Sequence, residues 1–295
     1  MYVRYSGTLV AAVAVMCLLT GCSSSATSPG AEPAPADSAD PQDWVLPLQS
    51  YMPTEQEQGQ LAQAKKILVG DCMKGFGFTW TPAPDLPKVG PKTLTDWRYG
   101  IHDMALAKER GYKPDAKEQA AYDAAMRKGA VDGAAPNGPQ ARVLDGRAAH
   151  IDGKKVPEGG CVGEANRKID ATAVQARTAL GLANAAFVKS KQDPAVVTAF
   201  AKWSSCMKHS GYDYKEPLDA SDDPRFGGPQ VSPEEIATAT ADIRCRRKTH
   251  VAWIWYQAES ALQKKAIDDH AEELTAERHK IDAAVRNASK IVSGG

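Results

Sequence analysis

Apolar positions recur at helical intervals through most of the chain. Leu61, Ala64, Leu68 and Cys72 fall three and four residues apart, and so do Val197, Phe200, Trp203 and Met207, so each set marks one helix face. Ile169, Ala173, Ala176, Leu180, Ala183 and Phe187 form a third stripe. The longest pattern starts at Ile236, Thr240 and Ile243 and passes through Val251, Ile254, Ala258 and Leu262. It continues to Ile267, Ala271, Leu274, Ile281, Val285 and Val292, and predicts one very long helix or two with a bend. Its last part has the narrow seam of a coiled-coil hairpin. Packing at home is the expected use of that seam, with a partner helix as the alternative.

Start signals stand where these stripes begin. Thr54 and Glu57 make a capping box, as do Ser232 and Glu235, while Asp193-Pro194 pairs a cap with a proline at the first helical position. Strand-like alternation is scarce and alanine abundant, which favours helix. The segment Ala149 to Pro157 is the exception, reading as a small hairpin turning at Asp152-Gly153.

A repeat is visible behind the periodicity. Cys72-Met73-Lys74-Gly75-Phe76-Gly77-Phe78-Thr79-Trp80 aligns with Cys206-Met207-Lys208-His209-Ser210-Gly211-Tyr212-Asp213-Tyr214, giving C-M-K-x-x-G-[FY]-x-[WY]. In each copy the glycine is placed to end a helix and the aromatics to fold back over it as core. The fold class that follows is mostly α: a helical bundle of two disulfide-stapled helix-hairpin units, with a long C-terminal helix and a small irregular or hairpin insertion. The first unit spans 54–191, with its insertion at about 81–160, and the second spans 192–295. Within the insertion, Thr95 to Ile101 leads into a short helix, Met104 to Arg110, and a second from about Asp115 to Lys128. Insertions on a rigid scaffold often carry binding residues, so a ligand surface is expected there.

The N-terminus has a different character. Met1 to Gly7 carry Arg4 as their only charge, and Leu9 to Leu19 are continuously apolar. Such a run is too short to span a bilayer of roughly 30 Å and suits a secretory signal peptide over 1–21. Leu19-Thr20-Gly21-Cys22 resembles the lipobox of bacterial lipoproteins, which implies cleavage before Cys22 and lipidation of its thiol. Residues 22–53, rich in Ser, Ala and Pro, are expected to form a disordered tether. Setting aside Cys17 and Cys22 leaves Cys72, Cys161, Cys206 and Cys245, an even set that suggests two disulfides in an oxidising compartment. Cys72–Cys161 with Cys206–Cys245 fits the two-unit arrangement, although a Cys72–Cys206 bridge is equally compatible with counting. Their spacing is long and contains no CxxC, which argues against metal.

Charge narrows the function without identifying it. Lys and Arg number 36 and Asp and Glu 36, so no global field favours nucleic acid. Locally, Arg244, Arg246, Arg247, Lys248 and His250 precede Trp253, Trp255 and Tyr256. Arg244, Arg246, Arg247, Lys248 and Trp255 make a candidate interaction surface for an anionic wall polymer, a lipid headgroup or an envelope protein. Asp268, Asp269, His270, Glu272 and Glu273 look metal-like, but charged helix faces produce such sets routinely. No HExxH, GxSxG, Walker loop or strand-linked GxGxxG is present, and neither a cofactor nor a catalytic residue is assigned.

Cys72-Met73 with Gly77-Phe78, Arg98-Tyr99-Gly100, Gly159-Gly160-Cys161, and Trp255 with Gln263 together resemble uncharacterised secreted lipoproteins of high-GC actinobacteria. The resemblance implies an extracytoplasmic, Gram-positive setting and supplies no activity. Two functions remain. One is an interaction or structural module held to the membrane by lipid on Cys22. The other is a wall-acting, hydrolase-like enzyme using insertion carboxylates such as Asp96, Asp103 and Asp145.

Overall fold

Order begins well before residue 54. The structure, a computed structural model, describes residues 40–129 and 138–294; the signal segment, Cys22 and the tether up to residue 39 lie outside the described residues. From Asp40 onward the expected tether is instead a strap of two proline-led 3-10 turns, Pro41–Asp43 and Pro47–Tyr51. Leu46 and Leu48 are buried, and the strap's carbonyls are met by distant side chains: Thr95 Oγ1 donates to Trp44 O at 2.7 Å and the Tyr256 hydroxyl to Val45 O at 2.9 Å. The correction has a simple cause. Trp44, Leu46 and Leu48 bring enough apolar surface to offset the entropy of ordering a segment whose prolines are already restricted.

Ten α-helices follow among the described residues, with one two-stranded hairpin. The first unit is built on α1 (Glu55–Gly75), opened by the Thr54–Glu57 capping box with both reciprocal bonds in place. Helices α2 (Met104–Arg110) and α3 (Ala116–Arg127) start from Asp103 and Asp115, whose carboxylates accept the first free backbone N–H groups. Then come α4 (Pro139–Asp145), the hairpin strands β1 (His150–Ile151) and β2 (Lys154–Lys155), and α5 (Gly160–Lys168). The hairpin turns at Asp152 and Gly153, both at positive φ, as a two-residue primed turn requires.

The third apolar stripe does not form one helix. Ile169 caps α5, Ala176 adopts a left-handed conformation, and α6 (Arg177–Ser190) starts afresh, burying Ala179, Ala183, Ala186 and Ser190 while Leu180 faces outward. Its N-terminus has no local cap; Glu277 reaches across to accept the N–H groups of Thr178 and Ala179, both at 3.0 Å.

The second unit contains α7 (Pro194–His209), capped by Asp193, and α8 (Pro233–Thr249), capped by Ser232. The face of α7 toward the core is Val196, Ala199, Phe200, Trp203 and Met207; Val197, expected on it, is 53% exposed. The expected capping box at Ser232 is only half made, because the Glu235 carboxylate turns inward to Lys113 and the Tyr112 N–H. The long C-terminal pattern divides into three helices: α8, α9 (Val251–Asp269) and α10 (Ala271–Gly294). The breaks fall at His250, left-handed with φ +53°, and at His270. The breaks let α9 pack on α6 and α7 while α10 returns along α1, burying Leu274, Ile281, Ala284 and Ala288. The seam of α10 is thus used at home. No described helix is long and apolar enough to cross a membrane.

Two disulfides close the helices as paired above, Cys72–Cys161 and Cys206–Cys245, each with Cα atoms 5.6 Å apart. The Cys72–Cys206 alternative is thereby excluded. The repeat ends identically in both copies. Phe78 N donates to Met73 O and Tyr212 N to Met207 O, each at 3.0 Å; Gly77 N donates to Lys74 O and Gly211 N to Lys208 O. These are the paired bonds of a Schellman closure, with Gly77 at φ +80° and Gly211 at +92° where a side chain would be strained. Met73 and Met207 are fully buried beneath the closures, each worth about 1.5–3 kcal/mol of apolar burial.

Candidate functional site

Buried charge, rather than surface charge, dominates the region expected to bind a partner. Arg246 and Trp255 are buried and Arg244, Arg247 and Lys248 exposed, so the candidate interaction surface does not form as a unit. Successive helical residues are about 100° apart, and a basic run therefore wraps around the helix instead of facing one way. The Arg246 Nε donates to Asp242 Oδ1 at 2.7 Å, its two NH groups donate to the carbonyls of Tyr99 and Pro217, and its guanidinium lies over Trp203. Burial pushes the Asp242 carboxyl up, against the opposing pull of Arg246, Trp203 Nε1 and the Tyr112 hydroxyl, which all donate to it. Trp255 stacks on Phe187 and donates to Ser190 Oγ at 2.7 Å.

A second buried network joins Arg98 and Tyr99 to Gln263. Glu259 is fully buried and accepts from Arg98 Nε and Nη2 (2.9 and 2.7 Å), the Tyr99 hydroxyl (2.7 Å) and Gln263 Nε2 (2.7 Å). Gln263 in turn accepts the Leu48 N–H at 3.0 Å, which ties the strap to the insertion through α9. Burial and the neighbouring Glu259 carboxylate push the Tyr99 phenol far above its ordinary value. Gly100, at φ +101°, passes directly against the Arg246 guanidinium, where any β-carbon would collide with it. These networks are structural: every charge in them is spent on another group of the chain.

The strap has a polar cleft on one side and an apolar groove on the other. The cleft, of about 630 Å³, is walled by Asp40, Asp96, His102, Asp103, Glu118 and Arg247 among others. His102 Nε2 lies 2.7 Å from Asp96 Oδ1 and its Nδ1 3.1 Å from Asp40 Oδ1, so both ring nitrogens face carboxylates and neither is open to a ligand. Asp103 and Asp115 are occupied as helix caps, and Glu118 accepts from Lys92 Nζ at 2.5 Å. Of the three carboxylates considered for hydrolysis, Asp96 and Asp103 share this cleft, while Asp145 sits at the end of α4, paired with Arg147. Among the described residues no group of three or more His, Cys, Asp or Glu side chains is placed to hold a metal ion. His270, at the break between α9 and α10, stands 3.4 Å from the exposed Glu273 of α10.

The groove, of about 1000 Å³, runs between the strap, the start of α1, the Thr93–Leu94 loop and the approach to α6. Its aliphatic walls include Val45, Leu46, Met52, Leu61, Leu94 and Leu180. Val45 is 66% exposed, Leu180 44% and Leu94 42%, three large aliphatic side chains left in solvent around one groove. The sequence pattern points elsewhere, because Leu180 counts as core in the 169–187 stripe and Val45 as tether. Compared with family models, curated proteins and solved structures, the chain matches none.

Proposed function

We propose that this protein is a lipid-anchored binding module of the extracytoplasmic face of the cell membrane, and that it binds through the apolar groove beside its strap. Cys22, in Leu19-Thr20-Gly21-Cys22, is the lipidated residue in this reading. The observation that carries the setting is the pair of disulfides: they use all four cysteines of the described residues, which suits an oxidising compartment. The groove supports binding because a contiguous apolar patch left in solvent usually marks an interaction site. A polyanion partner draws less support, since Arg246 is consumed internally and Arg247 donates to the His102 carbonyl. The hydrolase reading draws less as well, because Asp96, Asp103 and Asp145 are each engaged as a pair or a cap.

Acylation and fractionation test the placement. The wild-type chain should take up an alkyne-tagged palmitate and sediment with membranes, and Cys22→Ser should do neither. Membrane retention of an unlabelled Cys22→Ser chain would overturn the reading.

A further inference from the structure

The lining of the groove specifies more than hydrophobicity. Its aliphatic walls are bordered by Gln49, Ser50, Thr54, Gln58, Thr93 and Gln175, uncharged amides and hydroxyls that are each bonded within the chain. What they keep for a guest is the second half of each amide: among the described residues the Gln49 and Gln175 amide nitrogens and the Gln58 amide oxygen make no side-chain bond. Glu55 is the one charged side chain among the described lining residues, and Lys88 pairs with it. Among the described lining residues a carboxylate or phosphate head would meet no cation and one acidic side chain, an arrangement that costs binding energy. The volume falls at the upper end of what small-molecule pockets offer, enough for a long chain with a compact head.

Chain length supplies the source. The strap starts at Asp40, 18 residues after Cys22, so the groove's own wall begins at most about 65 Å of extended chain from the anchored residue. A lipid in the same bilayer is then within the tether's working radius.

We infer that the groove takes a neutral amphiphile from the membrane, an alkyl chain with an uncharged hydroxyl- or ester-bearing head such as a monoacylglycerol. The chain lies along Val45, Leu94 and Leu180 and the head among the amides and hydroxyls. This rests on the anchored-module reading for the source of the lipid, but the binding chemistry does not depend on it.

The test uses the full chain carrying Cys22→Ser, mixed with monooleoylglycerol or with oleate and followed by native mass spectrometry and displacement of a fluorescent alkyl probe. Monooleoylglycerol should be retained one to one and saturably, and oleate at least about tenfold more weakly. Leu94→Asp with Leu180→Asp should weaken retention at least about tenfold with little change in the melting curve, since each side chain is already more than two-fifths exposed. If that pair lowers the melting temperature, Val45→Gln takes its place with the same expected weakening. No saturable uptake, equal uptake of oleate, or indifference to these substitutions would overturn the inference. Because the chain tested lacks Cys22, a failure of lipidation in the wild type leaves the groove result standing, and the two failures can be told apart.

Discussion

The two Cys-Met-Lys units share a helix closure and differ in what surrounds it. In the first, Met73 and the Cys72–Cys161 bridge sit in a small cluster whose buried members are aliphatic, Val69, Val143, Val156 and Ala165, with the half-buried Phe76, Phe78 and Trp80 packed against it and, among the described residues, no ion pair crossing it. In the second, Met207 and the Cys206–Cys245 bridge sit in an aromatic core with Phe200, Trp203, Trp255 and Tyr99, crossed by the ion pairs of Arg246 and Glu259. The same nine-residue motif thus works in a plain core and in a heavily networked one. A helix stop needs only backbone carbonyls and a residue that tolerates positive φ, whereas the surrounding core is chosen by what the rest of the chain delivers.

The disulfides give the largest expected effects on this comparison. The first bridge closes 89 residues and the second 39. In the chain-entropy account, replacing both cysteines by alanine should cost about 4.5 kcal/mol in the first unit and about 4 kcal/mol in the second. Urea titration of the two double variants measures this, and a clearly greater loss in the second unit would mean that core contacts of Cys245 outweigh loop length.

Arg246→Ala comes next. It strands Asp242 in the interior, and should cost about 3–5 kcal/mol, against at most about 0.5 kcal/mol for exposed Arg244→Ala. Similar midpoints for the two variants would show that the buried network adds nothing the surface charge lacks.

Gly77→Ala and Gly211→Ala probe what the units have in common. No atom stands within 4 Å of an added β-carbon at either site, so only the backbone conformation is penalised, by about 1–2 kcal/mol in each. Thermal melts should place the two variants together. Separation by more than their errors would break the structural equivalence of the repeat.

The smallest effect is one of pH and, of the two motif copies, belongs to the second alone. Burial and the hydrogen bond to Asp223 push the Tyr214 phenol up to about 12 from 10.0, while its counterpart Trp80 has nothing to titrate. The folded state therefore favours the neutral phenol. Its contribution is complete below pH 10 and is lost as pH rises toward 12. Tyr214→Phe should flatten the stability profile across that interval, and an unchanged profile would assign the alkaline loss to other groups.

Much of the scaffold was legible locally. Helix starts at Thr54 and Asp193, the glycine closures and the Asp152-Gly153 hairpin all depend on residues a few positions apart, and each forms as its spacing predicts. The groove was not legible. Its walls come from the strap, α1, the residue 93–94 loop and the approach to α6, and the residues that mark it looked like core or tether in one dimension.

By itself, then, the sequence determined a mostly helical chain, two matching closures and an even set of cysteines, because caps, stops and amphipathic stripes act within a turn or two. Tertiary structure decided which cysteines meet, that Arg246 is core while Arg247 is surface, and that the last apolar pattern breaks at His250 and His270. It also decided that Glu277 caps a helix a hundred residues earlier and that Asp40 onward docks instead of trailing. The physical reason is common to all of these: each outcome depends on a partner distant in sequence, and burial or pairing with that partner outweighs the local preference.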